Sequence, residues 1–276
     1  MTRNYYKNIG PSLKSLLCNS DVDKVYLLIE DDDVGFDLPD RVECRNISKE
    51  NCFNKNGPNY SSVWSWVVLM RVALTKLFPD YDKILSLDVD TLVVGDISGL
   101  WNVPIGNNYV AGALDLPLVT NDNTYINGGV MLLNLAQLRK DGKDDEMIRV
   151  LDTTKFSYPE QDCINKLCEG RIYLLNGIYN SGTIYGTGVP RSRDNGKPKI
   201  LHFAGRGLKQ YFADPQVQEY NALDWKDCEY GKKTKPHGIT VQTFGKLNTC
   251  GACGSVLLVK GQKYCHECGR FMEWKK

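Results

Sequence analysis

The chain has 276 residues, with 34 Lys and Arg set against 33 Asp and Glu. That length suffices for one large domain and a small one. No apolar run reaches about 18 residues, so no segment is expected to span a membrane.

The balanced charge hides an asymmetry. Residues 225–276 carry ten basic and four acidic side chains, a net +6, which leaves −5 for the rest. The opening Met1-Thr2-Arg3-Asn4-Tyr5-Tyr6 has no apolar stretch of the secretory kind, so a signal peptide is not expected. Ten cysteines, four of them in metal-type pairs, are then expected as reduced thiols in a cytoplasmic protein.

Residues 12–18 read as a helix, with Pro11 in its first turn. Residues 24–29 are β-branched and apolar, and read as a strand ended by the acids Glu30 to Asp33. From 61 to 78, apolar residues recur at helical spacing until Pro79 (Val63, Trp66, Val67, Met70, Ala73, Leu74, Leu77). Residues 83–87 form the next expected strand, followed by 109–114 and 130–133. Asn134 is placed to cap a helix running to about Val150. Residues 171–175 and 199–203 complete the strands, and the Gly- and Asn-rich 178–198 reads as a long loop. Strands alternating with helices predict an α/β fold, with ligands at the carboxyl ends of the strands. The expected division is a body over 1–224, a linker over 225–246 and a small unit over 247–276.

Four motifs carry chemistry. Asp88-Val89-Asp90 leaves the end of the 83–87 strand, and two carboxylates there suit a hard divalent cation that also holds phosphate. An isolated pair of this kind is more often just solvated. A phosphatase of the haloacid dehalogenase type would want Thr or Val two places after the second Asp, where Leu92 stands. Asn127-Gly128-Gly129 precedes a strand, so the backbone can approach a ligand closely. Glu160, Gln161 and Asp162 occupy the first turn of a helix, where capping alone accounts for acids but not for the glutamine. His202 ends an apolar strand and is the natural third ligand for a carboxylate pair.

In this order the motifs resemble glycosyltransferase family 8, over about residues 4–209. The central block Leu77-Phe78-Pro79-Asp80-Tyr81-Asp82-Lys83-Ile84-Leu85-Ser86-Leu87-Asp88-Val89-Asp90-Thr91 carries most of the likeness. The resemblance implies a GT-A (Rossmann-like) fold and retaining transfer of a hexose from a UDP-sugar. It implies Mn²⁺ or Mg²⁺ on Asp88, Asp90 and His202, with Val89 between the acids. Arg71 would reach the donor. Asp115, Asn127 and Gly128 would border the sugar, and Gln161 and Asp162 would lie near the anomeric carbon. Tyr5 or Tyr6 would lie against uracil, and Gly205 with Lys209 or Arg206 would contact diphosphate. Two departures stand out. Met1 falls where the family's first buried strand should end, and Lys209 comes one residue late for the family's His-x-x-Gly-x-x-Lys motif.

The end of the chain has its own signal. Cys250-x-x-Cys253 and Cys265-x-x-Cys268, eleven residues apart, match a structural Zn²⁺ site of four thiolates and resemble a zinc ribbon. So small a unit needs its metal to fold. The scattered Cys18, Cys44, Cys52, Cys163, Cys168 and Cys228 are expected as small hydrophobes. The leading reading is a transferase acting on a carbohydrate, lipid-linked or protein acceptor. The alternative is a degenerate scaffold whose basic ribbon binds nucleic acid or protein.

Overall fold

The computed structural model describes residues 1–115, 124–182, 196–205, 208–228, 230, 237–241, 245–249 and 256–257. After a 3-10 turn over Arg3–Asn8, helix α1 (Gly10–Asn19) begins with its proline in the first turn. Strands β1 (Val25–Ile29) and β2 (Val42–Asn46) pair in parallel. A 3-10 segment over Trp66–Arg71 leads to the short α2 (Leu74–Leu77). Strands β3 (Lys83–Leu87) and β4 (Thr91–Val93) follow, then α3 (Ser98–Trp101), β5 (Val110–Leu114) and β6 (Ile126–Asn134). Helices α4 (Leu135–Lys140), α5 (Lys143–Thr153) and α6 (Pro159–Leu167) precede β7 (Ile172–Leu175), β8 (Ser181–Gly182) and β9 (Ile200–His202). Helices α7 (Leu208–Ala213) and α8 (Pro215–Asn221) close the body, and β10 (His237–Val241), β11 (Gly245–Thr249) and β12 (Val256–Leu257) lie beyond it.

Two sheets matter for the site. One has the order β3-β6-β5-β7, antiparallel except for the β5–β7 pair. The other has the order β4-β9-β8. The chain passes from the first to the second through Asp88-Val89-Asp90. Because β6 runs antiparallel to β3, the start of β6 lies beside the end of β3, with Leu87 opposite Val130. The expected α/β class holds, as a mixed sheet arrangement.

Strand β4 is an edge strand, and α1 covers it. Every residue of α1 from Pro11 to Asn19 is buried, polar ones included. The Val93 N–H donates to Ser15 Oγ at 2.9 Å, and Asn19 Nδ2 donates to the Val93 carbonyl at 2.9 Å. Side chains thus satisfy a backbone that has no strand on that side. Leu92 on β4 and Leu201 and Phe203 around β9 fill a core with Leu13, Leu17 and Tyr220.

Several local expectations need correction. The continuous helix over 61–78 is absent. Val63 is 97 % exposed, and the helical part is a 3-10 segment capped by Ser65, whose side chain accepts from Val67 N, before the four-residue α2. The stretch is rich in valine and tryptophan, which lose rotamer freedom in an α-helix, so its weak propensity yields to packing. The helix expected from Asn134 to Val150 is broken at Gly142, whose φ of 61° lies in the left-handed region. Asn134 does cap α4, accepting from Gln137 N. Tyr6 is buried in the core, and its hydroxyl accepts from Glu30 N at 2.8 Å, so it offers no face to a base; Tyr5 is exposed. Strand β2 was not foreseen, and the stretch read as a linker carries β10 and the start of β11. Among the described residues, none of the six scattered cysteines is in a disulfide; Cys44 and Cys52 are only half-buried. No helix among the described residues is long and apolar enough to cross a membrane.

Ser15→Ala should leave the Val93 N–H buried without an acceptor and cost about 1–3 kcal/mol. Urea unfolding should show a lower midpoint with an unchanged slope; an unaltered midpoint would show that the α1 clip on β4 contributes nothing.

Candidate active site

The site forms where the two sheets meet. Asp88 N donates to Gly129 O at 2.8 Å, extending the β3–β6 ladder by one rung. Two residues on, Phe203 N donates to Asp90 O at 3.0 Å, and Thr91 stands opposite His202 in the β4–β9 register. The register therefore delivers the imidazole from more than a hundred residues away. His202 Nε2 lies 3.5 Å from Asp90 Oδ1 and 3.8 Å from Asp88 Oδ2. One ligand atom from each of the three residues falls within 4.8 Å of the others. Ligands about 2.1 Å from a common octahedral ion stand about 3–4 Å apart, so the spacing fits Mg²⁺ or Mn²⁺ held by two oxygens and one nitrogen.

Arg71, at the end of the 3-10 segment, is the buried cation of the site. Its Nη2 donates to Asp88 Oδ1, its Nη1 to Glu160 Oε1 at 2.7 Å, and its Nε to Ser86 Oγ at 3.2 Å. Asp88 thus gives one oxygen to Arg71 and turns the other toward His202. Glu160 is buried, and burial raises its carboxyl above the ordinary range although Arg71 pulls the other way. Burial also opposes charge on His202, yet its contact with Asp90, aided by the Asp88 charge, leaves the imidazole pKa raised. For Asp90, burial acts upward, and the His202 contact outweighs it, so the carboxyl is lowered.

A second group surrounds Gln161. Its Oε1 accepts from Gly128 N at 2.6 Å, and its Nε2 donates to Asp115 Oδ2 at 3.0 Å and lies 3.1 Å from the Tyr125 hydroxyl. Tyr125 in turn donates to Asp162 Oδ1, while Asp162 Oδ2 accepts from Ser157 N and Tyr158 N at 3.1 and 2.8 Å. Asp162 is therefore engaged by the start of its own helix. Asn127 Nδ2 lies 3.5 Å from Asp115 Oδ1, so these two expected sugar contacts are neighbours.

The paired glycines have a reason besides the one expected. A Cβ on Gly129 would lie 2.1 Å from His202 Cε1, and one on Gly128 would lie 3.2 Å from both Arg71 Nη1 and Gln161 Oε1. They make room for the site's own side chains. Gly205 has a φ of 73°, a conformation that glycine adopts without strain. Tyr125, Asn180 and Ser86 were missed; only their closeness to the motifs could have hinted at them. The side chains of Lys209 and Arg206, and the four cysteines 250, 253, 265 and 268, lie outside the described residues.

Residues 1–210 match the sequence profile described as Glycosyl transferase family 8. The chain belongs to that family. This family 8 protein is 24% identical over 255 residues to glycosyltransferase GlyE of Streptococcus pneumoniae, covering 80% of this chain and 59% of GlyE. It is 24% identical over 259 residues to the lipopolysaccharide 1,2-glucosyltransferase of Escherichia coli, covering 81% of this chain and 77% of that one. It spans 46% of a Haemophilus influenzae relative that shares 28% identity over 160 residues, and so about half the length of the first relatives it matches. The crystal structure of galactosyltransferase LgtC, in complex with donor and acceptor sugar analogues, superposes with a TM-score of 0.57 at 18% identity. That match covers 82% of this chain and 96% of LgtC. It establishes the shared GT-A-like fold.

A cation ligated by His202 would compete with a proton for the imidazole, and the raised pKa strengthens that competition, so its affinity should fall as pH drops through that pKa. The thermal shift produced by Mn²⁺ should thus be larger at about pH 8 than at about pH 6, the usual imidazole range. Gly129→Ala should abolish the shift by displacing the His202 ring; a wild-type shift in that variant would show the contact to be harmless.

Proposed function

We propose that the chain is a metal-dependent, retaining hexosyltransferase that moves a sugar from a UDP-sugar to an acceptor hydroxyl. The observation that carries this reading is the convergence of Asp88, Asp90 and His202 on one point, beside a buried Arg71. Family membership supports transfer chemistry. The names of the E. coli glucosyltransferase and of LgtC support a hexose.

In this reading Asp88, Asp90 and His202 would hold Mn²⁺ or Mg²⁺, which would supply charge neutralisation for the departing diphosphate. Arg71 engages Asp88 Oδ1 and leaves Oδ2 for that role. Asp115 and Asn127 border the donor sugar. Gln161, held by Gly128 N, Asp115 and Tyr125, presents a fixed amide to the anomeric centre. Both Asp162 oxygens already accept hydrogen bonds from the chain, and so does Gln161 Oε1. That favours front-face attack by the acceptor hydroxyl over a covalent sugar on either residue. Trp64 and Tyr158 are partly exposed, with ring centroids 5.6 Å apart, at the entrance to α6. Such rings combine apolar faces with a polar tip, which suits a carbohydrate acceptor. For the end of the chain, the spacing of Cys250, Cys253, Cys265 and Cys268 supports one structural Zn²⁺.

Asp90→Ala should retain the fold but lose UDP release by on the order of 10³-fold, as several kcal/mol of charge stabilisation disappears. A donor screen monitoring UDP, run with and without Mn²⁺, checks this; turnover equal to wild type would refute the metal role. Metal analysis of the purified chain should find about one Zn per molecule, lost with Cys265→Ser. A metal-free but folded chain would remove the zinc proposal.

A further inference from the structure

We propose that Asn180 is a positioning residue that fixes His202 as the tautomer protonated at Nδ1, so that Nε2 alone faces the two aspartates. The inference rests on the metal reading above and adds a residue to it. Asn180 comes from the stretch between the 3-10 turn at Gly177–Tyr179 and β8.

The relay starts at a backbone amide, which can only donate. Gly129 N donates to the Asn127 side-chain oxygen at 2.9 Å. That contact settles which end of the Asn127 amide is oxygen, with no choice left to a flip. The same oxygen receives Asn180 Nδ2 at 2.9 Å, so the Asn180 nitrogen must face Asn127. Its oxygen then faces His202 Nδ1, at 2.9 Å. An amide oxygen only accepts, and Nδ1 must therefore carry a proton. A neutral imidazole has one N–H, so the lone pair lies on Nε2, the nitrogen 3.5 Å from Asp90 and 3.8 Å from Asp88. At the far end Asn127 Nδ2 points to Asp115 Oδ1 at 3.5 Å, in the same sense. Every donor in the relay runs one way, set by Gly129.

Ligating histidines need such a partner on the other ring nitrogen, and its removal typically weakens metal binding about 10–100-fold. The Asn127 oxygen accepts from two donors of the chain, Gly129 N and Asn180 Nδ2, so the amide nitrogen is the end left for a sugar hydroxyl.

Nitrogen NMR of ¹⁵N-histidine protein, taken without metal on the alkaline plateau of the His202 titration, reads the tautomer directly. The chain has three histidines, and the His202 signal is the one lost in His202→Gln. Wild type should show Nδ1 as the protonated nitrogen; finding it on Nε2 overturns the inference without any further variant. Asn180→Leu should give a mixed population and weaken Mn²⁺ binding, followed by electron paramagnetic resonance, about 10–100-fold. Asn180→Asp keeps an oxygen against Nδ1 and should restore the tautomer, which a residue serving only stability would not do. Unchanged tautomer or Mn²⁺ affinity in Asn180→Leu also refutes the inference. Failure of wild type to bind Mn²⁺ would refute the metal reading instead, and the metal-free spectra would still decide the role of Asn180.

Discussion

The pairing of β4 with β9 is the constraint from which the site follows. It sets Thr91 opposite His202 and lets Phe203 N hold the carbonyl of Asp90. A slip of one residue would turn the imidazole to the other face of the sheet. The pairing is itself held from outside by α1, whose Ser15 and Asn19 take up the free backbone groups of Val93. A buried helix with polar side chains, packed directly on β4, thus helps keep the two aspartates and the histidine together.

Electrostatics then settles what those atoms can do. Four acids crowd the region (Asp88, Asp90, Asp115 and Glu160), and Arg71 is the buried guanidinium among the described residues that binds two of them. A guanidinium keeps its charge when buried and presents donors in a fixed fork. One Arg71 can therefore hold a strand-end aspartate and a helix glutamate at once, tying β3 to α6. The acidic excess beyond that one cation is what would draw a divalent ion. His202 lies against Asp90, and a bound cation would replace that internal partnership.

Much of this was legible in the residues, and the failures are instructive. The strand 83–87, the acids after it and His202 could be found because apolar runs ending in chemistry-bearing side chains are local signals. The Asn127-Gly128-Gly129 motif was found, and packing adds a reason for its glycines that the sequence hid. Sequence can report that a side chain is missing, and only packing reveals that His202 and Gln161 occupy the space. The 61–78 stretch misled because helical periodicity says where apolar residues lie and nothing of the 3-10 winding that valines and tryptophans accept. Asn180 carried no signal, since its importance lies wholly in whom it touches. Tyr6 looked like a base-stacking ring, yet a hydroxyl partner at Glu30 draws it inside.

Asp88 and Asp90 are separated by a single residue, yet each is bolted to a different sheet. Val89 bridges a seam between two sheets that share a buried core, with a backbone hydrogen bond fastening each flank. The opening between the carboxylates is consequently a gauge of how those sheets sit on one another. Loosening in their shared interior would spread or close that opening long before the protein unfolds.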